Sequence, residues 1–87
     1  MPAVYIPAPL RELTAGKPLV EVEGATVGKV INNLERVCPG IRERLLDQGR
    51  LRPNIRVAVD GRIRPLGLLE RVSPSSEVHF VTAVGGG

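Results

Sequence analysis

The stretch EVHFVTAVGGG, residues 77–87, decides the predicted fold. Val78 and Phe80 alternate with His79 and Val81, which is the two-residue period of a β-strand. Both sets of side chains are at least partly apolar, and a strand with two apolar faces is normally covered on both. We therefore expect this segment to form the central strand of a sheet, with a helix on one face and a partner on the other.

Two further apolar patterns predict strands near the beginning of the chain. Val4 and Ile6 alternate with less apolar neighbours, and Val20 and Val22 alternate with glutamates. Prolines follow the first strand and end its pairing. Because the two strands are close in sequence, we expect an antiparallel hairpin, with a short turn-like link at residues 10–13.

A helix is predicted after this hairpin. Thr26 is a suitable N-cap, because its hydroxyl can accept a hydrogen bond from a free backbone amide of the first turn. An apolar stripe begins at Val27 and continues at i+3, i+4 and i+7, which places it on one face of a helix. The segment Cys38–Gly40 ends the helix, because it contains Pro and Gly. A second short helical piece is expected at residues 41–46.

A third strand is predicted to end at Val59, and an Asp-Gly pair that is typical of a hairpin turn follows it. A two-residue loop would pair Val59 with Arg62 and place Arg62 and Arg64 on the buried face. A three-residue loop with a left-handed glycine pairs Val59 with Ile63 instead and turns both arginines outward. We expect this second register, followed by a packed loop with one helical turn at residues 65–72.

The order of these elements is strand, strand, helix, strand, short strand, strand. It predicts an α+β fold of the β-grasp, or ubiquitin-like, type: a mixed sheet with one main helix packed across it. The first and last strands should lie side by side and parallel. A chain of 87 residues has room for one domain, which we expect at residues 1–84, with a flexible glycine tail at residues 85–87.

The composition indicates a soluble protein of a reducing compartment. The chain has one cysteine, Cys38, and therefore neither an internal disulfide nor a cysteine pattern for a metal. Its opening lacks the basic region and apolar run of a signal peptide. No apolar stretch approaches the roughly 20 residues of a membrane span. We expect a cytoplasmic protein that binds no metal, enters no membrane and is monomeric when free.

Four segments resemble the MoaD/ThiS family of ubiquitin-like sulfur carriers. They are VYIPAPLREL from Val4, TVGKVINNLERVCPGIRERLL from Thr26, VAVDGR from Val57 and VTAVGGG from Val81. The sequence most resembles the branch that includes the small sulfur carriers of cysteine synthesis. The resemblance extends from about Val4 to Gly87, and its most specific part is the final pair of glycines.

The resemblance implies a carrier and not an enzyme. An E1-like activating enzyme would use ATP and Mg²⁺ to adenylate the Gly87 carboxylate and would convert it to a thiocarboxylate. A sulfur-accepting synthase would then receive the sulfur. The carrier would bind no cofactor and supply no catalytic residue. The pathway that receives the sulfur stays open between cysteine, the molybdenum cofactor molybdopterin, thiamin and a thiolated tRNA base.

The final residues suit this role physically. An extended segment Val84–Gly87 would reach about 13–14 Å beyond the sheet, far enough to enter a narrow channel in another protein. Glycine has no Cβ, so Gly86 and Gly87 can thread a slot that excludes larger residues. Val84 and Gly85 are expected to contact the channel as secondary sites.

Docking on the partner is expected to use Tyr5, Val81, Arg56 and Arg64. Aromatic side chains contribute little, because the chain contains only Tyr5 and Phe80. Arginine suits an acidic enzyme surface, because it keeps its charge and binds carboxylates with a forked geometry.

Two other functions remain open. The activated terminus could be joined to lysines, which would make the chain a ubiquitin-like protein modifier, with Lys17 and Lys29 as attachment sites of its own. A set of arginines could instead bind RNA phosphates, but nine acidic residues dilute the positive charge and few aromatic residues can stack on bases. This set consists of Arg50, Arg52, Arg56, Arg62 and Arg64.

Two single residues could carry chemistry of their own. Cys38 could be a nucleophile or a persulfide site, but a lone cysteine at a helix end more often packs as a small apolar residue. His79 could be a metal ligand or a base, but the sequence has no second histidine to join it. We expect Cys38 to be packed and His79 to be an exposed or partly packed strand residue.

Overall fold

Short strands and helices follow one another through residues 1–82, the part of the chain that the computed structural model describes. Their bounds are β1 Ala3–Tyr5, β2 Leu19–Glu21, α1 Val27–Val37, α2 Ile41–Leu45, β3 Leu46–Asp47, β4 Arg50–Leu51, β5 Ile55–Val59, β6 Arg62–Ile63 and β7 Glu77–Thr82. Two 3-10 helices cover Ala8–Thr14 and Gly67–Leu69. None of the helices within residues 1–82 is long and apolar enough to cross a lipid bilayer.

A five-stranded mixed sheet in the order β2-β1-β7-β5-β6 forms the body of the protein. β7 lies in its middle, parallel to β1 and antiparallel to β5. Val78 of β7 is opposite Val4, and Phe80 is opposite Val57. The predicted central position of the last strand, and its parallel pairing with the first, are confirmed.

α1 packs across one face of this sheet. Its N-cap is Thr26, whose hydroxyl accepts a hydrogen bond of 3.2 Å from the backbone N–H of Lys29. The predicted apolar stripe is fully buried and consists of Val27, Val30, Ile31 and Leu34. The helix and its stripe are therefore confirmed.

The junction between α1 and α2 is held by the carboxylate of Glu35. Its two oxygens accept hydrogen bonds from the backbone N–H of Gly40 at 2.9 Å and of Arg42 at 2.8 Å. These bonds lower the pKa of the Glu35 carboxyl, since both favour the charged form. The start of α2, the predicted second helical piece, is thereby fixed to the end of α1.

The predicted register of the second hairpin is wrong. Val59 is opposite Arg62, and Ala58 is opposite Ile63, as a two-residue loop requires. Asp60 and the glycine after it both have positive φ, 52° and 84°, which is the turn that best matches the twist of two paired strands. Arg62 remains exposed nevertheless, because β6 is only two residues long and lies at the edge of the sheet.

Two elements were not predicted. β3 and β4 form a small antiparallel hairpin, but each has two residues, too few to show alternation in a sequence. The link expected at residues 10–13 is a longer 3-10 helix, Ala8–Thr14. The packed loop at residues 65–72 does contain the single helical turn that was predicted there.

Candidate functional site: the open face of the sheet

The sheet face opposite α1 carries a continuous row of side chains across all five strands. Each residue of the row is the register partner of the next, and residues opposite each other in a sheet point to the same side. From β2 to β6 the row consists of Leu19, Tyr5, His79, Ala58 and Ile63. Leu19 and Ile63 at the two ends of the row are exposed, Tyr5 and His79 are half-buried and Ala58 is buried, so all but Ala58 offer side-chain surface to a partner.

An aromatic stack fills the centre of this row. The rings of Tyr5 and His79 lie 4.1 Å apart between centroids and are nearly parallel, at 6°. The His79 Nε2 also lies 3.6 Å from a carboxylate oxygen of Glu77. Within residues 1–82, no group of three or more His, Cys, Asp or Glu side chains is placed to hold a metal ion. His79 is thus a half-buried strand residue, as predicted.

Charge changes sign along the open face. At the start of β7, Glu77 is opposite Ala3, which is opposite Glu21. Beyond the apolar row, towards the end of β7, Val81 is opposite Arg56. The Val81 side chain is 45% exposed. The face is therefore acidic at one end, apolar in the middle, and apolar and basic at the end where the chain continues to residue 83.

Three of the four predicted docking residues lie together on this face. Tyr5 belongs to the apolar row, and Val81 and Arg56 form the next row. Arg64 does not lie with them. Its backbone N–H donates to the carbonyl of Val57, so Arg64 is opposite Val57, and Val57 belongs to the face that packs against α1. The sequence did not predict that Leu19 and Ile63 belong to this face. Their place in it follows from the strand register, and no sequence motif marks it.

The predicted tail lies outside the described residues. This includes Val84, Gly85, Gly86 and Gly87, as well as the expected domain boundary after residue 84. The last described residue, Thr82, is paired with Ile55, the first residue of β5, next to the row of Val81 and Arg56.

The sequence was also compared with known protein families. The sequence model of the ThiS family matches residues 4–87. The chain belongs to the ThiS family. The sulfur carrier protein CysO of Mycobacterium tuberculosis is 37% identical to it over 89 residues, covering 97% of this chain and 96% of that protein.

Solved structures agree on the fold. A chain in the crystal structure of the Amycolatopsis orientalis BexX/CysO complex superposes with a TM-score of 0.93 at 34% identity, covering 100% of both chains. Small archaeal modifier protein 1 from Methanosarcina acetivorans superposes with a TM-score of 0.81 at 25% identity, covering 99% of this chain and 95% of that one. The β-grasp prediction and the family resemblance are confirmed, and the Mycobacterium tuberculosis relative is named as a carrier and not as an enzyme.

Cys38 of this ThiS-family chain is packed, as predicted. It is 5% exposed, and burial raises the pKa of its thiol. Because the thiolate is the nucleophilic form, this environment opposes a reactive role.

The five arginines of the RNA hypothesis do not share one surface. Arg56 lies on the open face, whereas Arg62 is opposite the core residue Val59. Arg52 donates through Nε and Nη2 to the carbonyl of Glu43. These positions do not form the continuous basic stripe that an RNA backbone would follow.

The turn before β6 is tied to the start of β7 by Asp60. Its carboxylate accepts hydrogen bonds of 2.9 Å from the backbone N–H of Glu77 and of 2.9 Å from the Ser76 hydroxyl. These bonds, with a smaller contribution from the Arg64 charge, lower the pKa of Asp60. The ionised carboxylate therefore stabilises the acidic end of the open face.

This pKa shift predicts a pH-dependent stability. A carboxyl whose pKa is lowered in the folded state stabilises it above the ordinary value of about 4, and loses that effect as the pH falls through the lowered value. Asp60→Asn keeps the shape and tolerates positive φ, but it carries no charge. We expect urea titrations to show Asp60→Asn less stable than wild type at about pH 7, and the difference to shrink towards about pH 3. An equal difference at both pH values would contradict the assignment.

Proposed function

We propose that this chain is a sulfur carrier whose Gly87 carboxylate is adenylated by an E1-like, ATP-dependent enzyme and then converted to a thiocarboxylate. The observation that carries the proposal is the match to the ThiS family through Gly87. The nearly full-length similarity to a protein named as a sulfur carrier supports it. Because the sequence resembles the branch of carriers for cysteine synthesis, we propose that pathway as the destination of the sulfur, in the cytoplasm.

The chemistry needs two nucleophilic displacements, the first at the α-phosphorus of ATP and the second at the carbonyl carbon of Gly87. An oxygen of the carboxylate attacks the α-phosphorus of Mg²⁺-ATP, and pyrophosphate leaves. Sulfide then attacks the carbonyl carbon of the acyl-adenylate, and AMP leaves with one of the original carboxylate oxygens. The product is a thiocarboxylate, with one C–O bond replaced by a C–S bond and no change in oxidation state. The activating enzyme binds ATP and Mg²⁺, and the carrier contributes the acyl group.

The open face is proposed to dock on the activating enzyme. Its apolar row offers area for burial, and Arg56 offers a cation opposite Val81, near the end of β7. A complementary enzyme surface would be apolar, with a carboxylate near the mouth of its channel, because opposite charges at an interface set its orientation and speed association. The crystal structure of a BexX/CysO complex shows that a similar chain forms a complex with another protein.

A substitution in this face is expected to weaken docking. Val81→Asp places a charge in the region that would be buried, and an unpaired buried charge is costly. We expect kcat/KM of the activating enzyme for the carrier to fall about tenfold or more, mainly through KM. The matched control is Val37→Asp, since Val37 is 60% exposed on α1, on the other side of the sheet. Equal effects of the two substitutions would count against docking through the open face.

Adenylation itself is tested by pyrophosphate exchange. The host's activating enzyme is incubated with labelled pyrophosphate and ATP, with and without the purified carrier. Label should enter ATP only when the carrier is present, because exchange requires a reversible acyl-adenylate. Exchange that is independent of the carrier, or absent although a known relative supports it, contradicts the proposal.

Protein modification is the second candidate function. A structural neighbour from Methanosarcina acetivorans is named as a modifier protein, and a carrier and a modifier need the same activated terminus. The two differ in the acceptor, which is a lysine amine for a modifier. Gel-stable conjugates that depend on ATP and resist both thiols and hydroxylamine would support modification, whereas a thiocarboxylate without conjugates supports the carrier.

A further inference from the structure

The loop between β6 and β7 carries two leucine side chains that are exposed to solvent. In this leucine loop, residues 64–71, Leu66 is 61% and Leu69 is 75% exposed. The intervening Leu68 packs against the core. Two exposed apolar side chains close together on a small domain favour the interpretation that this loop is a contact site.

The leucines are held in this exposed position by hydrogen bonds. The Leu66 backbone N–H donates to a carboxylate oxygen of Glu70 at 2.8 Å, and the Leu69 N–H donates to the Leu66 carbonyl at 3.1 Å. The Glu70 carbonyl accepts from the N–H of Val27 at the start of α1. The 3-10 turn at Gly67–Leu69 is thus closed on itself and attached to α1, and its geometry is set before any partner arrives.

The surroundings of the two leucines are cationic. Arg62 and Arg71 are exposed, and Arg64 is half-buried. The one acidic residue of the loop, Glu70, is 8% exposed and is used by Leu66. Within residues 1–82, the exposed Arg62 and Arg71 form no ion pair, whereas the Arg64 charge lies near enough to the Asp60 carboxylate to lower its pKa.

The guanidinium of Arg64 has a hydrogen-bond donor without an acceptor. Within residues 1–82, its Nε is the one buried side-chain nitrogen or oxygen without a hydrogen-bond partner. Its Nη2 lies 3.5 Å from the Val59 carbonyl, which is a long contact. A guanidinium held this weakly can turn towards a carboxylate that approaches the loop, and arginine binds carboxylates through two parallel bonds.

The leucine loop lies on the helix side of the sheet. The carbonyl of Leu68 lies 3.3 Å from where a Cβ on Gly28 of α1 would be, so the loop is pressed against α1. The open face lies on the other side of the sheet. One partner can therefore occupy the open face while the loop stays accessible to another.

We propose that the leucine loop is a second docking surface, which the sulfur-accepting enzyme binds through an apolar recess rimmed by carboxylates. The inference rests on the proposed carrier function, because a carrier meets two enzymes in succession. The recess would take Leu66 and Leu69, and the carboxylates would pair with Arg62, Arg64 and Arg71. A partner of this charge is favoured because the loop's own carboxylate is already engaged.

The test separates the two enzymes. Carrier thiocarboxylate is prepared chemically, by treating an intein thioester of the full chain with sulfide, so the second step does not depend on activation. Wild type is compared with Leu66→Ser/Leu69→Ser, with Arg62→Gln/Arg71→Gln and with Val81→Asp. Two rates are measured for each: ATP-dependent thiolation by the host's activating enzyme, and consumption of the prepared thiocarboxylate by the host's sulfur-accepting synthase. Circular dichroism and urea titration check folding.

The proposal predicts that variants of the leucine loop lower the rate of the synthase reaction but not the rate of thiolation. Leu66→Ser/Leu69→Ser should lower kcat/KM for the synthase about tenfold or more and leave thiolation within about twofold. The arginine variant should lower the synthase rate several-fold and weaken its dependence on salt. Unchanged consumption by both variants, or an equal loss in both reactions, overturns the second surface. Failure of wild type to be thiolated at all would instead contradict the carrier function.

An anionic lipid surface is the other partner that leucines and arginines suit. Sedimentation with vesicles of phosphatidylserine and phosphatidylcholine tests it directly. Binding to these vesicles that the leucine variant abolishes, together with unchanged consumption by the synthase, overturns the protein partner in favour of a membrane.

Discussion

Deletion of Gly86 and Gly87 is expected to abolish thiocarboxylate formation while leaving the fold intact. The shortened chain still ends in a carboxylate, but its reach is reduced by about 7 Å, at 3.3–3.6 Å per extended residue. Adenylation requires the carboxylate to meet the α-phosphate of ATP within bonding distance, so the loss should be complete. Intact mass after incubation with ATP, sulfide and the activating enzyme measures it directly.

A matched control distinguishes reach from composition. Gly85→Ala keeps the length and adds one methyl group, so we expect it to be thiolated more slowly, yet to completion. Both variants should have the wild-type unfolding free energy, because neither change touches a residue of the buried core described within residues 1–82. Thiolation of the deletion variant at the wild-type rate would show that the site of activation is not the end of the tail.

Gly24→Ala is expected to destabilise the fold severely. Gly24 has φ +153°, and a Cβ built on it would lie 2.7 Å from both Cγ2 and the backbone nitrogen of Val30. Backbone atoms of a helix cannot shift as a flexible side chain can. Strain in this region of φ costs up to about 3 kcal/mol even without overlap, so the free energy of unfolding from urea titration should fall by at least about 3 kcal/mol.

Gly16→Ala is the control for backbone strain alone. Gly16 also has positive φ, +81°, but a Cβ there would meet nothing within 4 Å. Its cost should be limited to about 1–2 kcal/mol. Similar losses for the two substitutions would mean that the close approach of Gly24 to α1 is not what the fold requires.

The fold was predictable where side-chain periodicity and burial coincide. The stripe that begins at Val27 is fully buried, and both faces of β7 are used, one against α1 and one in the Tyr5 and His79 stack. In each case one physical requirement, removal of apolar surface from water, fixes both the local period and the position in the fold.

The failures have a different origin. The predicted three-residue loop keeps Arg62 and Arg64 in solvent, but β6 is a short edge strand and Arg62 is exposed in the observed register as well. The left-handed pair at Asp60 and Gly61 then favours the two-residue loop. The register of this hairpin is therefore set by the backbone conformation of its turn and not by the burial of the arginine side chains.

The open face could be predicted only in part. Tyr5, Val81 and Arg56 were expected to dock a partner, and the structure places them side by side. Leu19 and Ile63 come from the two edge strands, about 44 residues apart in sequence. Their membership of one row follows from pairing across five strands, which no local pattern contains.

The most direct test is where sulfur is found after activation. Purified carrier is incubated with ATP, sulfide and the host's activating enzyme, and the product is examined by intact mass and by fragmentation. We predict one oxygen exchanged for sulfur, with the sulfur on Gly87. An unchanged mass under conditions that thiolate a known relative, or sulfur located on Cys38 instead, would contradict the carrier function.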